Sequence, residues 1–281
     1  MDSFESLITY ALSKEVTDIH FERKRYNNSI NIQLRTINGL VVYEHISDAL
    51  MLMQHLKYLA NLDVIENEKP QSGAFTYMFD DKDYYFRLAS IFTLHQEVCV
   101  LRILNKLHIS KRILDPIKYE IESLSKIKSG LVLFSGLTGS GKTTSMYTLL
   151  QYFEHYKIYS VEDPIEVHFD HVVQLNINRK VNFGYNEAIV QILRHDPDII
   201  CIGEIRDHEA ATMAIRAAYT GHLVIATIHA QNTKQTINRL LDLGIHQNDI
   251  DANLCYIFSQ KLIVENKLRK SVYEVYQNKL L

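Results

Sequence analysis

The stretch Gly136-Leu137-Thr138-Gly139-Ser140-Gly141-Lys142-Thr143-Thr144 constrains this chain more than any other. It fits the spacing G-x-x-x-x-G-K-[ST], with Gly136, Gly141, Lys142 and Thr143 in the fixed places. Glycines so spaced let the backbone curl until successive N–H groups point inward, a concavity suited to phosphate oxygens. A helix starting near Lys142 adds the positive end of its dipole at the same spot. The apolar run Leu131-Val-Leu-Phe134 before the loop reads as a buried strand, and the residues after it read as an amphipathic helix. That context separates the motif from an accidental glycine turn. All nine residues are expected to line a nucleotide, with Lys142 reaching the β- and γ-phosphates and the Thr143 hydroxyl binding Mg²⁺. The loop speaks for a nucleoside triphosphate and is silent on what its energy does.

The chain has 281 residues, enough for two domains of ordinary size. At 47% hydrophobic and 22% charged, with four prolines and ten glycines, it has the composition of a soluble globular protein with a sizeable core. There is no internal repeat or low-complexity segment. A net charge of −3 does not announce the basic face of an obligate nucleic-acid binder. The opening Met1-Asp-Ser-Phe-Glu-Ser6 lacks the basic and apolar regions of a secretory signal. Apolar runs such as Ile199-Ile-Cys-Ile202 are too short to span a bilayer. The expected compartment is the cytoplasm. Cys99, Cys201 and Cys255 form neither a disulfide ladder nor a Cys-x-x-Cys site, and are expected as core residues.

Along the chain, Phe4, Leu7, Ile8, Ala11 and Leu12 recur at helical spacing. Ile30, Ile32 and Leu34 alternate as in a strand, Asn38-Gly39 signals a hairpin, and Leu40-Val-Val-Tyr43 returns. Ser47 is the expected N-cap of a helix reaching Leu62. Strands are predicted over Ala74–Phe79, Tyr84–Thr93 and Glu97–Leu104, with Asp80-Asp81 as a turn. Residues 1–106 therefore read as a small α+β domain with an antiparallel sheet, and 107–115 as a linker. From 116 to 281 the strands become continuous apolar runs separated by helices, which implies a parallel α/β sheet covered on both faces.

Three later segments surround the loop in function. Ser160-Val-Glu162-Asp163-Pro-Ile-Glu166 follows a strand, where a phosphate-facing carboxylate is expected. Leu193-Arg194-His-Asp-Pro-Asp198-Ile-Ile-Cys-Ile-Gly203-Glu204-Ile-Arg206-Asp207 contains a Walker-B-like apolar run ending in an acid. Thr220-Gly221-His222-Leu-Val-Ile-Ala-Thr-Ile-His229 is a buried strand with a histidine at each end. In order and wording these resemble the Asp box, Walker B and His box of the secretion ATPase superfamily, which includes type II secretion and type IV pilus ATPases. The resemblance covers Asp18 to about Lys261, including Asp18-Ile-His-Phe-Glu22, Glu68-Lys-Pro-Gln-Ser-Gly73 and the pair Phe86-Arg87-Leu and Leu101-Arg102-Ile. It implies a RecA-like P-loop ATPase domain preceded by a PAS-like α+β domain. The sequence is most similar to the compact ATPases of Gram-positive competence pili. It carries neither the extra N-terminal domain and four-cysteine zinc insertion usual in type II assembly ATPases nor the longer C-terminal region of retraction motors. Mg²⁺ with ATP, and no zinc, is the expected cofactor set.

The resemblance also implies roles. The generic Walker B Asp is Gly203 here, which leaves Glu204 and brings Glu162 in to share the acidic work. Glu162 would polarise the attacking water and Glu204 would hold Mg²⁺ through water; the reverse order is the alternative. His229 would sense the γ-phosphate, against the plainer reading of a histidine hydrogen-bonded at a sheet edge. Arg87 and Arg102 would act as arginine fingers across a subunit boundary, against the plainer reading of strand arginines in surface ion pairs. Arg194, Arg206 and His222 are expected as structural support. The family forms rings of six that turn a polytopic membrane platform protein and add pilin subunits, so a homo-hexamer at the inner face of the membrane is implied.

Three other readings compete. A nucleic-acid translocase on the same core would need basic and aromatic pore loops, for which Asn178-Arg-Lys-Val-Asn-Phe183 is the one faint candidate. A non-hydrolysing ATP-binding scaffold is opposed by Glu162, Glu204 and both arginines. A small-molecule kinase leaves the His box unexplained. No direct nucleic-acid binding is expected.

Overall fold

The computed structural model describes residues 3–36, 38–44, 48–65, 68–104, 111–165, 167–265 and 268–278. The chain divides into two compact units, Met1–Lys106 and Leu107–Leu281. The segment read as a linker lies partly outside the described residues; from Lys111 to Ile117 it is a 3-10 helix.

The first unit starts with α1 (Ser3–Ser13), whose Phe4, Leu7, Ile8 and Ala11 are all buried. It continues through β1 (Asp18–Lys24), β2 (Ile30–Thr36) and β3 (Gly39–Val42). Gly39 pairs with Thr36, so it belongs to the returning strand and the hairpin turn lies one residue earlier than the Asn38-Gly39 signal suggests. Helix α2 (Ala49–Leu59) begins where the Asp48 carboxylate accepts the Met51 N–H at 3.1 Å; the expected cap, Ser47, lies outside the described residues. The helix stops short of Leu62 because Asn61 turns left-handed and the Leu62 N–H closes back on the Lys57 carbonyl. Then come β4 (Gln71–Phe79), β5 (Lys82–Phe92) and β6 (Gln96–Leu104). Asp80 and Asp81 both have φ near +52°, as a two-residue type I′ turn requires.

These strands form one antiparallel sheet in the order β3-β2-β1-β6-β5-β4. One face, with Ile19, Phe21, Leu34, Phe86, Leu88 and Leu101, packs under α1 and α2. Strand residues alternate faces, so the directly opposed Arg35, Asp18, Arg102 and Arg87 form a charged rung on the other side. Within the core, Glu97 is ion-paired to Lys57, both 3% exposed, and the Arg23 Nη1 stands 3.2 Å from the same carboxylate. Lys57→Ala would leave a buried carboxylate short of its main partner. It is expected to destabilise this unit by about 3 kcal/mol, read from the midpoint of urea unfolding.

The second unit runs through α3 (Lys118–Leu124), β7 (Gly130–Ser135), α4 (Lys142–Leu150), β8 (Ile158–Glu162) and β9 (Val172–Asn176). After α5 (Tyr185–Ile192), β10 (Ile199–Ile205), α6 (His208–Tyr219) and β11 (Leu223–Ile228) come α7 (Thr233–Asp242), α8 (Gln247–Asn253), β12 (Leu254–Glu265) and β13 (Leu268–Gln277). The sheet order is β13-β12-β7-β11-β10-β8-β9. Strands β7, β8 and β11 are buried at every position, as a sheet covered on both faces demands. One covering layer is built on α5 and α6, the other on α3 and α4. The sheet is parallel except at one edge, where β13 folds back antiparallel on β12. Tyr273 and Val275 of this strand pack against the core layer on α3 and α4, and Tyr276 against the layer on α5 and α6. All three cysteines are free and buried, and burial pushes the Cys99 thiol up to about 11. Among the described residues no helix is long and apolar enough to cross a membrane.

Candidate functional site

The C-terminal ends of β7, β8, β10 and β11 converge on one cleft of about 160 Å³, where open parallel sheets place their ligands. Thr138, Gly139, Lys142 and Thr143 line one side, and Glu162, Gly203, Glu204 and His229 the other. A hollow of about 610 Å³ in the first unit is larger, but no comparable set of chemistry-bearing groups converges there.

The phosphate loop needs its glycines. Gly136 sits at φ +153°, and a Cβ there would lie 2.4 Å from the Ser140 hydroxyl and 2.5 Å from the Gln260 carbonyl. Gly141, at φ +89°, is the N-cap of α4 and offers no side-chain cap, so the first N–H groups of the helix stay available to an anion. Lys142, 7% exposed, donates from Nζ to the carbonyls of Gly136 at 2.9 Å and Leu137 at 3.0 Å. The ammonium is thus held inside the loop's curl. Within α4 the Thr148 hydroxyl donates to the Thr144 carbonyl at 2.7 Å.

Glu162 ends β8 and is 2% exposed. Its Oε1 accepts from the Tyr147 hydroxyl at 2.5 Å, the Ser160 hydroxyl at 2.8 Å and the Gln174 amide at 2.9 Å. Gly203 stands against it: a Cβ at that position would come within 3.0 Å of the Glu162 Cγ. A side chain at position 203 would therefore press on Glu162, and the glycine leaves that carboxylate its room.

Glu204, on β10, is engaged at both oxygens. Oε2 accepts from Arg206 Nε at 2.5 Å and Oε1 lies 2.9 Å from His229 Nε2. The Arg206 Nη1 also donates to the Asp163 carbonyl at 3.3 Å, linking the β8 and β10 ends. Thr227 donates to the Gly203 carbonyl at 2.6 Å and fixes β11 against β10 one residue before Glu204.

Two expected supports lie elsewhere. Arg194 is exposed in the turn before β10, at the opposite end of that strand from Glu204. His222 precedes β11 and bonds Thr220, with its carbonyl taking the Gly130 N–H. Seven residues of extended chain put it roughly 23 Å from His229. Arg87 and Arg102 are cross-strand neighbours in the first unit, and Arg102, 58% exposed at its side chain, donates to Asp18 at 2.7 Å.

Arg179, in the loop at 178–183, is not a free cation. Arg179 faces Asp163 at 3.8 Å, Asp207 at 3.3 Å and Glu209 at 3.7 Å, so its charge is spent on tying this loop to the ends of β8 and β10. Sequence reasoning missed Arg179, Tyr147 and Gln174. Gln174 did leave a signal, as the lone polar residue within Val172-Val-Gln-Leu175. Tyr147 left none that distinguishes it from a core aromatic.

The residues fit a nucleotide with Mg²⁺: an anion-receptive helix start, a lysine, a threonine hydroxyl and two carboxylates share the cleft. Among the described residues no group of three or more His, Cys, Asp or Glu is arranged to hold a metal. A Mg²⁺ here would take most of its ligands from phosphates and water, as that ion commonly does.

The sequence profile described as "Type II/IV secretion system protein" matches residues 2–278. The chain is 36% identical over 277 residues to the competence protein ComGA of Bacillus subtilis, covering 94% of this chain and 77% of that one. It is 36% identical over 266 residues to the type IV pilus assembly ATPase PilB of Acinetobacter baylyi, covering 91% of this chain and 46% of that longer one. Among solved structures it resembles the pilus retraction motor PilT with bound ADP, at TM-score 0.78 and 26% identity over 98% of this chain and 83% of PilT. The Legionella pneumophila ATPase DotB shares the fold at TM-score 0.72 and 19% identity, covering 98% of this chain and 80% of DotB.

Proposed function

Because the chain belongs to the type II/IV secretion system protein family, we propose that it is an ATP-hydrolysing ring motor that powers assembly of a competence pseudopilus for DNA uptake. The coarser part of this reading, a secretion or pilus ATPase, follows from the family and from relatives such as ComGA and PilB. The observation that supports ATP hydrolysis is the convergence of Lys142 and Thr143 with Glu162, Glu204 and His229 in one cleft, while the competence role rests on the likeness to ComGA.

In this reading the loop from Gly136 to Thr144 binds the phosphates through its N–H groups, and Lys142 exchanges the Gly136 and Leu137 carbonyls for β- and γ-phosphate oxygens. Thr143 and Glu204 would hold the Mg²⁺, which would supply charge neutralisation on the phosphates. Glu162 orients and polarises the attacking water. His229 touches Glu204, so a change in its contact with the γ-phosphate is felt at once by the carboxylate beside the metal. Arg206 and Asp163 brace that arrangement.

Gly203→Ala is expected to displace Glu162 by a few tenths of an ångström and lower kcat about tenfold with little change in nucleotide affinity. Steady-state phosphate release with a fluorescent-nucleotide titration checks it.

A cleft of about 160 Å³ is smaller than the 300–1,000 Å³ usual for a whole small-molecule ligand. This supports a half-site, completed by Arg87 and Arg102 of a neighbouring copy in a homo-hexamer. The motor would work at the cytoplasmic face of the membrane on a polytopic platform protein. The paired Arg179 speaks against a nucleic-acid pore loop at 178–183. Native mass with and without ATP and Mg²⁺, alongside phosphate release, tests the proposal. A nucleotide-stabilised hexamer with turnover supports it; a monomer without turnover under both conditions overturns it.

A further inference from the structure

We infer that Tyr147 is a positioning residue that aims the Glu162 carboxylate, and that it does so from the same helix that carries Lys142 and Thr143. The inference rests on the reading of Glu162 as the group that polarises the attacking water.

Tyr147 lies five residues beyond Lys142 on α4, about 7.5 Å further along the helix axis. Its ring is fully buried and stacked on Phe169, with centroids 4.1 Å apart and planes 9° from parallel, so the ring cannot swing. From that fixed ring the hydroxyl donates to Glu162 Oε1 at 2.5 Å. Burial first, then the nearby charge of Glu162 and the hydrogen bond itself, hold the hydroxyl protonated well above its ordinary range, so it is a donor at any working pH.

The other two donors are equally constrained. Gln174 receives the Phe169 N–H on its carboxamide oxygen at 2.9 Å and donates to the Val167 carbonyl at 2.8 Å. Those contacts fix which end of the amide faces Glu162, and its nitrogen also reaches the Tyr147 hydroxyl at 3.2 Å. Ser160 sits two residues before Glu162 on the same face of β8. Three donors on one oxygen fix the plane of the carboxylate, and the missing side chain of Gly203 leaves it room.

Two jobs thus fall to one rigid element. The start of α4 carries Lys142 and Thr143 and its next turn carries Tyr147, so the helix holds the phosphate-binding end and the donor to Glu162 in a fixed relation. A purely structural tyrosine, sealing a buried carboxylate, would affect folding and nucleotide binding instead of the chemical step.

The two are separated by measuring hydrolysis and fluorescent-nucleotide affinity on the full chain for wild type, Tyr147→Phe, Glu162→Gln and the double variant. Phenylalanine keeps the stack on Phe169 and removes only the hydroxyl. The expected result is a kcat lowered about 10- to 100-fold, affinity within about twofold of wild type, and a double variant no slower than Glu162→Gln alone. Wild-type kcat in Tyr147→Phe, or a fully multiplicative loss in the double variant, overturns the inference. If Tyr147→Phe does not fold, Ser160→Ala removes another of the three donors and is expected to lower kcat about threefold or more; an unchanged kcat there overturns it equally. Turnover at the wild-type rate in Glu162→Gln would sink the reading of Glu162 itself, whereas an inactive Glu162→Gln beside a fully active Tyr147→Phe would sink only the role of Tyr147.

Discussion

Lys142→Ala is expected to lower kcat/KM for ATP by on the order of 10³-fold or more while leaving the second unit folded. The lysine's ammonium is the one positive side chain among those lining the loop side of the cleft, and it is already held by the carbonyls of Gly136 and Leu137. Developing charge on a transferring phosphoryl group meets it in a buried setting, where a fixed charge acts most strongly. The fold does not depend on it in the same way. Losing two side-chain hydrogen bonds to loop carbonyls costs about 1–3 kcal/mol, while the apolar layers built on α3, α4, α5 and α6 stay intact. Phosphate release and circular dichroism melting read the two effects separately. Normal hydrolysis in this variant would remove the basis for an ATP-driven function altogether.

How much of this arrangement could be read from the sequence depends on how local its cause is. The phosphate loop is legible because three glycine positions, a lysine and a threonine must be adjacent in sequence to be adjacent in space. Strands β7, β10 and β11 are legible because burial on both faces leaves continuous apolar runs. Helix α1 is legible because a single amphipathic face repeats at helical spacing. The antiparallel edge β13 is less so: Ser271-Val-Tyr-Glu-Val-Tyr276 has no clean period of two, and only the fold shows its pairing with β12. Cross-element networks leave still weaker traces. The Tyr147, Ser160 and Gln174 donors come from α4, β8 and β9, and only the fold shows that they meet at one oxygen. Arg179 looked like a free cation because its three carboxylate partners are distributed over positions 163, 207 and 209. His222 was expected to support the site, but it stands at the start of β11, a full strand away from His229 at the other end.

Arg87→Ala with Arg102→Ala is expected to cost on the order of 10³-fold in turnover, and to be rescued in part by a second inactive variant. The two guanidiniums are directly opposed across β5 and β6, with Arg35 at the far side of Asp18 on the same rung. Like charges so placed repel, and Asp18 pairs with Arg102 at 2.7 Å. Among the described residues no carboxylate is ion-paired with Arg87. A rung with three arginines and one aspartate has positive charge to offer an anion, and a triphosphate is an anion of suitable size. Removing two half-exposed surface arginines changes stability little, so lost turnover would report lost chemistry. The arginines belong to the first unit and Glu162 to the second, so a ring that pairs them between neighbours makes a further demand. Subunits lacking both arginines, mixed one to one with Glu162→Gln subunits, would create about one intact interface in four in a randomly assembled closed ring. Each parent is inactive alone, so turnover appearing only on mixing means that one subunit's arginines serve its neighbour's Glu162. A mixture as silent as its parents, with mixed rings demonstrated by native mass, would return Arg87 and Arg102 to the status of surface cations and leave the charge requirement of the cleft to Lys142 and Arg206.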